Sequence, residues 1–136
     1  MKKRIELAKS KKCDGVDPDN MDGYDNNSGF PLSFNDQLEF AKFIANTAHS
    51  YGLSVSLKNN LEQIPELVQY FDYAVNEQCL EYNECNLLKP FTQSGKPVFH
   101  IEYSGKIANI CAATKSLGFS SILKNLNLDA KQSSCQ

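Results

Sequence analysis

Five short apolar segments, each ending in polar side chains, constrain the fold of this 136-residue chain more than any other feature. Stretches with helical periodicity separate them, so the order is β-α-β-α, which predicts a parallel sheet with right-handed crossovers. In parallel α/β folds, ligands bind beyond the carboxyl ends of the strands, and those ends here supply Asp, Lys, Glu, Glu and Lys. The sequence therefore predicts an active face at that end. The five segments are residues 14–20, 53–59, 73–78, 98–103 and 120–125.

The segments between these strands have helical character. One helix is expected over residues 2–12, and Ser33 or Asn35 can cap a long amphipathic helix that Gly52 ends. The polar tail after Leu128 is expected to be frayed. Shorter helices are expected over residues 61–71, 86–93 and 107–117.

The length of the chain bounds its architecture. A chain of 136 residues with 41% hydrophobic content fits one domain, residues 1–136, with its own core. Five parallel strands leave two open sheet edges, whereas a closed (β/α)₈ barrel needs about 200–250 residues. We therefore expect α/β architecture: an open sheet, or about five βα units from the C-terminal part of an incomplete TIM barrel.

Charge and hydropathy limit the classes of partner. A net charge of −2 gives no reason to expect nucleic acid, and the basic N-terminal cluster is typical of the polar side of a short helix. No stretch is long and apolar enough to span a membrane. Glu6 and several lysines interrupt the position of a signal-peptide apolar region, so no secretion signal is expected in this chain.

Five cysteines favour an oxidising compartment. Cys79 and Cys85 bracket a loop that directly follows a strand, and a disulfide between them is sterically plausible. Free thiols are the alternative, and a zinc site lacks a second pair of ligands at the required spacing. The pairing of Cys13, Cys111 and Cys135 stays open.

Carboxylates at two strand ends are the strongest chemical signal. Asp17 and Asp19 follow the first strand and Glu77 ends the third. Glycoside hydrolysis needs two carboxyl groups on opposite sides of the scissile bond, and acids from strands two apart converge at a barrel mouth. An EF-hand fails because Pro18 falls at the first ligand position and no Glu closes the loop. Calcium binding through a non-standard loop stays a minor alternative.

Other side chains at the same rim are candidates for binding substrate. Polar groups can hydrogen-bond a sugar and tyrosines can stack on it, although partial burial is an equally good account of the tyrosines. With two histidines and no Gly-rich phosphate loop, we expect neither a metal nor a cofactor. His100 is expected to point into the barrel or toward a helix. The predicted substrate-binding residues are Asp22, Tyr24, Lys58, Asn59, Asn76, Glu102 and Tyr103.

Several ordered motifs, from about Lys9 to Cys135, resemble glycoside hydrolase family 114, the endo-α-1,4-polygalactosaminidases. The resemblance implies a TIM-barrel catalytic domain, secreted or surface-associated, that hydrolyses polysaccharide containing galactosamine. The family's acids map onto Asp19 and Glu77, with Asp17 an alternative for the first. The motifs that carry the resemblance are Cys13-Asp14-Gly15-Val16-Asp17-Pro18-Asp19-Asn20-Met21-Asp22-Gly23-Tyr24, Gly29-Phe30-Pro31-Leu32, Gly52-Leu53-Ser54-Val55-Ser56-Leu57-Lys58-Asn59, Ala74-Val75-Asn76-Glu77-Gln78-Cys79 and Phe119-Ser120-Ser121-Ile122-Leu123-Lys124-Asn125.

The resemblance also implies strands that precede the first motif in the family and are lacking here. Activity of this chain alone is therefore uncertain, and a missing N-terminal half or a homo-oligomer would complete the barrel. The expected function is retaining hydrolysis of α-1,4 linkages, with Asp19 as nucleophile and Glu77 as general acid/base. One alternative is a catalytically inactive carbohydrate-binding half-barrel. Another is an open α/β module that binds calcium or phosphate.

Overall fold

A computed structural model describes residues 1–135 of the chain. The fold divides into two compact units, Met1–Asp72 and Tyr73–Gln136. Both units alternate strands with helices, as the sequence predicts for an α/β protein. Within the described residues, no helix combines the length and the apolar character of a membrane span.

The first unit contains two parallel strands and three α-helices. The strands β1 and β2 pair in the register Gly15↔Ser54 and Val16↔Val55. In chain order the elements are α1 (Lys2–Ser10), β1 (Gly15–Val16), a 3₁₀ helix (Gly23–Asp25), α2 (Phe34–Ser50), β2 (Ser54–Lys58), a 3₁₀ helix (Leu61–Gln63) and α3 (Ile64–Leu67). The two short 3₁₀ helices lie in the connections, one between β1 and α2 and one directly before α3.

Helix α2 is the main scaffold of this unit. Ser33 caps its N-terminus: the Ser33 side chain accepts from the backbone N–H of Asp36, while the Asp36 carboxylate accepts from the Ser33 backbone N–H. This capping box satisfies two N–H groups that a helix end leaves unpaired. Gly52, with φ of 66°, follows the helix in the left-handed region, as expected for a glycine at its end. The apolar residues that α2 buries in the core are Ala41, Ile44, Ala45 and Ala48.

A glycine allows β1 and β2 to approach closely. A Cβ added to Gly15 would lie 2.2 Å from Ser54 Oγ and 2.9 Å from the Ser54 carbonyl oxygen. Because no side chain fits there, this position requires glycine. The residues that follow β1 therefore run alongside the C-terminal half of β2, where Asp17 contacts Ser56 and Asp19 contacts Lys58.

The second unit is a four-stranded sheet in the order β3-β4-β5-β6. The first three strands are parallel, and β6 pairs antiparallel with β5. The disulfides Cys79–Cys85 and Cys111–Cys135 both lie in this unit, and Cys13 is a free, exposed thiol. The elements are β3 (Tyr73–Glu77), a 3₁₀ helix (Cys85–Leu88), α4 (Lys89–Gln93), β4 (Val98–Glu102), α5 (Ile107–Lys115), β5 (Ser120–Lys124) and β6 (Gln132–Ser134).

Two segments differ from the sequence-based expectation. The prediction of a frayed tail is wrong, because β6 pairs with β5 and a disulfide ties Cys135 to α5. The helix predicted over 61–71 is a 3₁₀ turn followed by one α-helical turn. Pro65 has no N–H to donate to the Leu61 carbonyl, so the α-helical ladder cannot begin at Leu61.

Candidate active site

The end of β1 places two aspartates against the side chains of β2. Beyond the paired residues Gly15–Val16 and Ser54–Val55, Asp17 lies beside Ser56 and Asp19 beside Lys58. Ser56 Oγ donates to Asp17 Oδ1, and Lys58 Nζ donates to Asp19 Oδ1 at 2.9 Å. The structure therefore brings Asp19 and Lys58 together, both of which the sequence analysis selects.

Asp19 is held in its ionised form. The hydrogen bond from Lys58 is the largest cause that lowers the pKa of the Asp19 carboxyl, and the backbone N–H of Asn20 adds a second donor at 2.9 Å. Both donors contact Oδ1. The Lys58 side chain is 9% exposed and the Asp19 side chain 66% exposed, so a buried cation fixes an accessible carboxylate.

A cavity of about 220 Å³ lies beside β1 and opens onto both aspartates. Its walls come from α1, through Arg4 and Ile5, and from residues Val16 to Asp19. A positive guanidinium and two carboxylates thus line one concave surface.

The loop after β1 carries Asp22 and Tyr24, two predicted substrate contacts. Tyr24 Oη donates to Glu62 Oε2 at 3.0 Å, and its ring packs edge-on against Phe34 with centroids 5.6 Å apart. Burial, followed by the Glu62 carboxylate, raises the pKa of Tyr24 to about 12. The backbone carbonyl of Asp22 accepts from Asn26 Nδ2. These contacts hold the loop in one conformation without involving Asp19.

In the second unit, β3 and β4 bring Glu77 and Tyr103 together. Tyr103 Oη donates to Glu77 Oε1, and Gln78 N donates to the Ile101 carbonyl at 2.8 Å. Glu77 lies opposite Ile101 in the register of the two strands. A hydroxyl donor aimed at one oxygen fixes the orientation of the Glu77 carboxyl.

Glu102 and Asn76 lie on the opposite face of these strands from Glu77, because successive side chains alternate. Asn76 is buried and pairs in register with His100. Glu102 Oε1 accepts from Leu80 N at 2.9 Å and contacts His100 Nε2 at 2.8 Å. The structure thus brings Tyr103 to Glu77 and directs Glu102 to a buried histidine. Contact of any of these residues with substrate stays a prediction.

Residues with positive φ follow predicted site residues at three places in the chain. Asn20 follows Asp19, Asn59 and Asn60 follow Lys58, and Gln78 follows Glu77, with φ from 50° to 64°. Asparagine tolerates this left-handed region better than most residues do, whereas the conformation is costly for Gln78. The costly conformation at Gln78 therefore lies in the turn that directly follows Glu77.

One group of side chains within residues 1–135 has the spacing of metal ligands: Cys79, Cys85 and His100. The two sulfur atoms are joined in a disulfide, so neither is a thiolate, which is the form that binds metals. Both nitrogens of His100 are hydrogen bonded to other side chains. The group is therefore a disulfide that packs near a histidine.

The sequence analysis missed three partners of the site. Ser56 binds Asp17, Glu62 binds Tyr24, and Ser121 binds His100. The period of two along β2 is a signal for Ser56, since it shares a face with Lys58. The partners of Tyr24 and His100 come from distant elements, and no local pattern identifies them.

Comparison with known proteins identifies the relatives of the chain. The family model described as glycoside-hydrolase family GH114 matches residues 1–136. A crystal structure of Aspergillus fumigatus Ega3 in complex with galactosamine is similar, with 42% identity and a TM-score of 0.91. It covers 99% of this chain, and this chain spans 59% of that one. The search of curated proteins finds no match.

The glycoside hydrolase domain of PelA from Pseudomonas aeruginosa shares the fold at 16% identity and a TM-score of 0.68. That match covers 98% of this chain and 61% of the PelA chain. The E218A variant of the same domain gives a TM-score of 0.69. The α/β fold class predicted from sequence, as a portion of a TIM barrel, is confirmed. The chain belongs to glycoside-hydrolase family GH114.

Proposed function

We propose that this protein hydrolyses α-1,4 glycosidic linkages in galactosamine-containing polysaccharide by a two-carboxylate, retaining mechanism. Membership of family GH114 and the similarity to a structure that binds galactosamine support the substrate class. The chain spans about three fifths of that relative, so its activity is part of the proposal. We retain Asp19 as nucleophile and Glu77 as general acid/base.

The observation that carries the proposal is the ion pair between Lys58 and Asp19. A nucleophilic carboxylate must be ionised before substrate binds, and the lowered pKa of Asp19 meets that need. Both donors contact Oδ1, so within residues 1–135 Asp19 Oδ2 has no hydrogen-bond donor and is the atom assigned to attack. Asp17, whose Oδ1 accepts from Ser56, is the alternative for this role.

Glu77 would protonate the glycosidic oxygen as Asp19 Oδ2 attacks the anomeric carbon. The C–O bond to the leaving sugar breaks, and a glycosyl ester forms on Asp19. Glu77, now a carboxylate, then takes a proton from water, and the water oxygen displaces Asp19 from the anomeric carbon. The Tyr103 hydroxyl, which donates to Glu77 Oε1, would keep the carboxyl oriented through both steps. A retaining mechanism requires the two carboxyl groups about 5–5.5 Å apart.

Turnover of a galactosamine polymer by the purified chain tests the proposal. Asp19→Asn and Glu77→Gln should each lower the rate by about 10²-fold or more, because each removes a group that acts on the reacting atoms. Glu39→Gln is the matched control, since Glu39 is an exposed acid on α2 paired with Lys42. Full turnover in both catalytic variants would refute the assignment. A larger loss in Asp17→Asn than in Asp19→Asn would move the nucleophile to Asp17.

Binding without cleavage is the other outcome with physical support. The chain spans 59% of the Ega3 chain, and a partial barrel that keeps the sugar-binding rim would act as a carbohydrate-binding module. Saturable binding of galactosamine oligomers by the wild-type chain, with no released product, would establish that alternative.

We also propose an extracellular location. Two disulfides in one unit of about 60 residues are typical of proteins that fold in oxidising compartments. Recovery of both disulfides intact from the protein isolated in its native compartment is the expected result. Fully reduced thiols at these four positions would contradict it.

A further inference from the structure

A chain of hydrogen bonds crosses the buried face of β4 behind Glu77. Glu102 Oε1 contacts His100 Nε2 at 2.8 Å, and His100 Nδ1 contacts Ser121 Oγ at 3.0 Å. Ser121 Oγ donates to Thr114 Oγ1 at 2.8 Å, and Thr114 donates to the Ile110 carbonyl at 2.9 Å. The chain therefore links the end of β4 through β5 to helix α5.

The Ile110 carbonyl determines which group donates in each hydrogen bond between it and His100. A carbonyl oxygen can only accept, so the Thr114 hydroxyl donates its proton to the Ile110 carbonyl. Ser121 must then donate to Thr114, which leaves Ser121 Oγ as the acceptor for His100. His100 therefore carries a proton on Nδ1. One further proton lies between Nε2 and Glu102, because a 2.8 Å contact between two bare acceptors would be repulsive.

Burial gives this pair its importance. The His100 side chain is fully buried and that of Glu102 is 3% exposed. Burial is the main cause that lowers the pKa of His100, and the hydrogen bond to Glu102 opposes that effect. Removing either residue would leave the other with an unpaired polar group in the core. The loss of folding free energy is larger than for the same substitution in a solvent-exposed pair.

Glu102 also anchors the loop that follows Glu77. Leu80 N donates to Glu102 Oε1 at 2.9 Å, and Gln78 N donates to the Ile101 carbonyl at 2.8 Å. The loop is braced internally by the Cys79–Cys85 disulfide. Tyr103, the next residue after Glu102, donates its hydroxyl to Glu77 on the other face. At the end of β4, Tyr103 therefore holds the side chain of Glu77, and Glu102 holds the loop that follows Glu77 through the backbone N–H of Leu80.

We propose that Glu102 and His100 are positioning residues for Glu77. Their hydrogen-bonded pair latches residues 78–85 to the end of β4 and so keeps the Tyr103 hydroxyl on the Glu77 carboxyl. The latch itself is a property of the second unit, whereas its effect on catalysis rests on the proposed function of Glu77. A cavity of about 350 Å³, lined in part by Leu80, Glu81 and Glu102, gives the loop room to move when the latch is removed.

Nitrogen NMR of the imidazole in the wild-type chain tests the assigned proton direction without any substitution. We expect a proton on His100 Nδ1, protected from exchange and close in space to Ser121. Ser121→Ala removes the acceptor and should speed exchange of that proton by about tenfold, the factor of a lost buried hydrogen bond. A histidine protonated only on Nε2 would overturn the proposal.

Amide exchange at Leu80 tests the latch. Glu102→Ala should speed exchange at Leu80 by about tenfold or more, and Glu102→Gln, which keeps an acceptor oxygen, should restore part of the protection. Glu81→Gln is the matched control, because this exposed acid lines the same cavity and its carboxylate accepts from the Gln78 side chain and not from Leu80 N. Unchanged exchange in Glu102→Ala would refute the latch. If Glu102→Ala does not fold, the proposal is decided by the nitrogen NMR spectrum of His100 in the wild-type chain and by proton exchange in Ser121→Ala.

Turnover separates this inference from the proposed function. In a chain that cleaves polymer, Glu102→Ala should lower kcat with KM unchanged, because the loop and not the sugar is displaced. An increase in KM alone would contradict a positioning role. If the wild-type chain shows no turnover, the proposed function fails, and Leu80 exchange still decides the latch.

Discussion

The two disulfides of the second unit should stabilise it by unequal amounts. They close loops with sequence separations of 6 for Cys79–Cys85 and 24 for Cys111–Cys135. Loop closure in the unfolded chain then contributes about 2 kcal/mol for the short loop and about 3.5 kcal/mol for the long one. The longer loop is expected to add more because its closure removes more conformations from the unfolded ensemble.

Removing cysteines would also empty space in the core, since Cys79 is fully buried. A cleaner perturbation keeps the sulfur atoms in place. In a Cys111→Ala/Cys135→Ala variant, the difference between oxidised and reduced protein isolates the Cys79–Cys85 bond. In a Cys79→Ala/Cys85→Ala variant, the same difference isolates Cys111–Cys135. Cys13→Ser in both backgrounds prevents mispairing through the free thiol.

Urea unfolding followed by a probe in residues 73–135 provides the free energies. We expect the oxidised form to exceed the reduced form by about 2 kcal/mol for the first bond and about 3.5 kcal/mol for the second. Cys13→Ser alone should change the free energy of unfolding by less than about 0.5 kcal/mol, because Cys13 is exposed. A contribution from the short loop equal to or larger than that from the long loop would refute the closure argument.

Three further predictions follow from single contacts. Lys58→Met should raise the pKa of Asp19 toward its ordinary 3.8, measured by carboxyl-carbon NMR titration, and an unchanged titration would show that Lys58 does not lower this pKa. In the wild-type chain the ion pair stabilises the fold above pH 3.8, and this stabilisation is lost as the pH falls through the lower pKa of the folded state. Gly15→Ala should destabilise the fold by about 1–3 kcal/mol in thermal or urea unfolding, because the new Cβ would lie 2.2 Å from Ser54 Oγ, and wild-type stability would show that β1 does not approach β2 so closely. Ser33→Ala should cost about 1 kcal/mol in the same assay through loss of the α2 cap, and a change near zero would contradict the capping box.

Strands β2 to β5 were predictable because each lies in an apolar run that ends in polar residues. β2, β3, β4 and β5 all lie within the predicted segments. Strand β6 carries no such pattern, since Gln132–Ser134 is entirely polar. It forms through backbone pairing with β5 and through the bond of Cys135 to Cys111, and disulfide connectivity cannot be deduced from cysteine positions.

The site was predictable as a set of residues and only partly as a geometry. Asp19 and Lys58 meet because parallel strands in register bring their carboxyl ends side by side. Glu102 and Tyr103 are adjacent in sequence, and both were expected at the rim. The alternation of strand side chains sends Tyr103 to Glu77 and Glu102 to His100. Which face is buried depends on the helix that packs there, and the sequence of β4 alone does not specify that helix.

The configuration of the first product tests most directly the claim that Asp19 attacks while Glu77 donates a proton. Proton NMR of the anomeric region, recorded in the first moments after the chain meets an α-1,4-linked galactosamine oligomer, distinguishes the two anomers before mutarotation mixes them. The α-anomer should accumulate first, because a covalent ester on Asp19 inverts the anomeric carbon twice. A β-anomer that forms first would contradict the nucleophilic role, since it requires a single displacement by water.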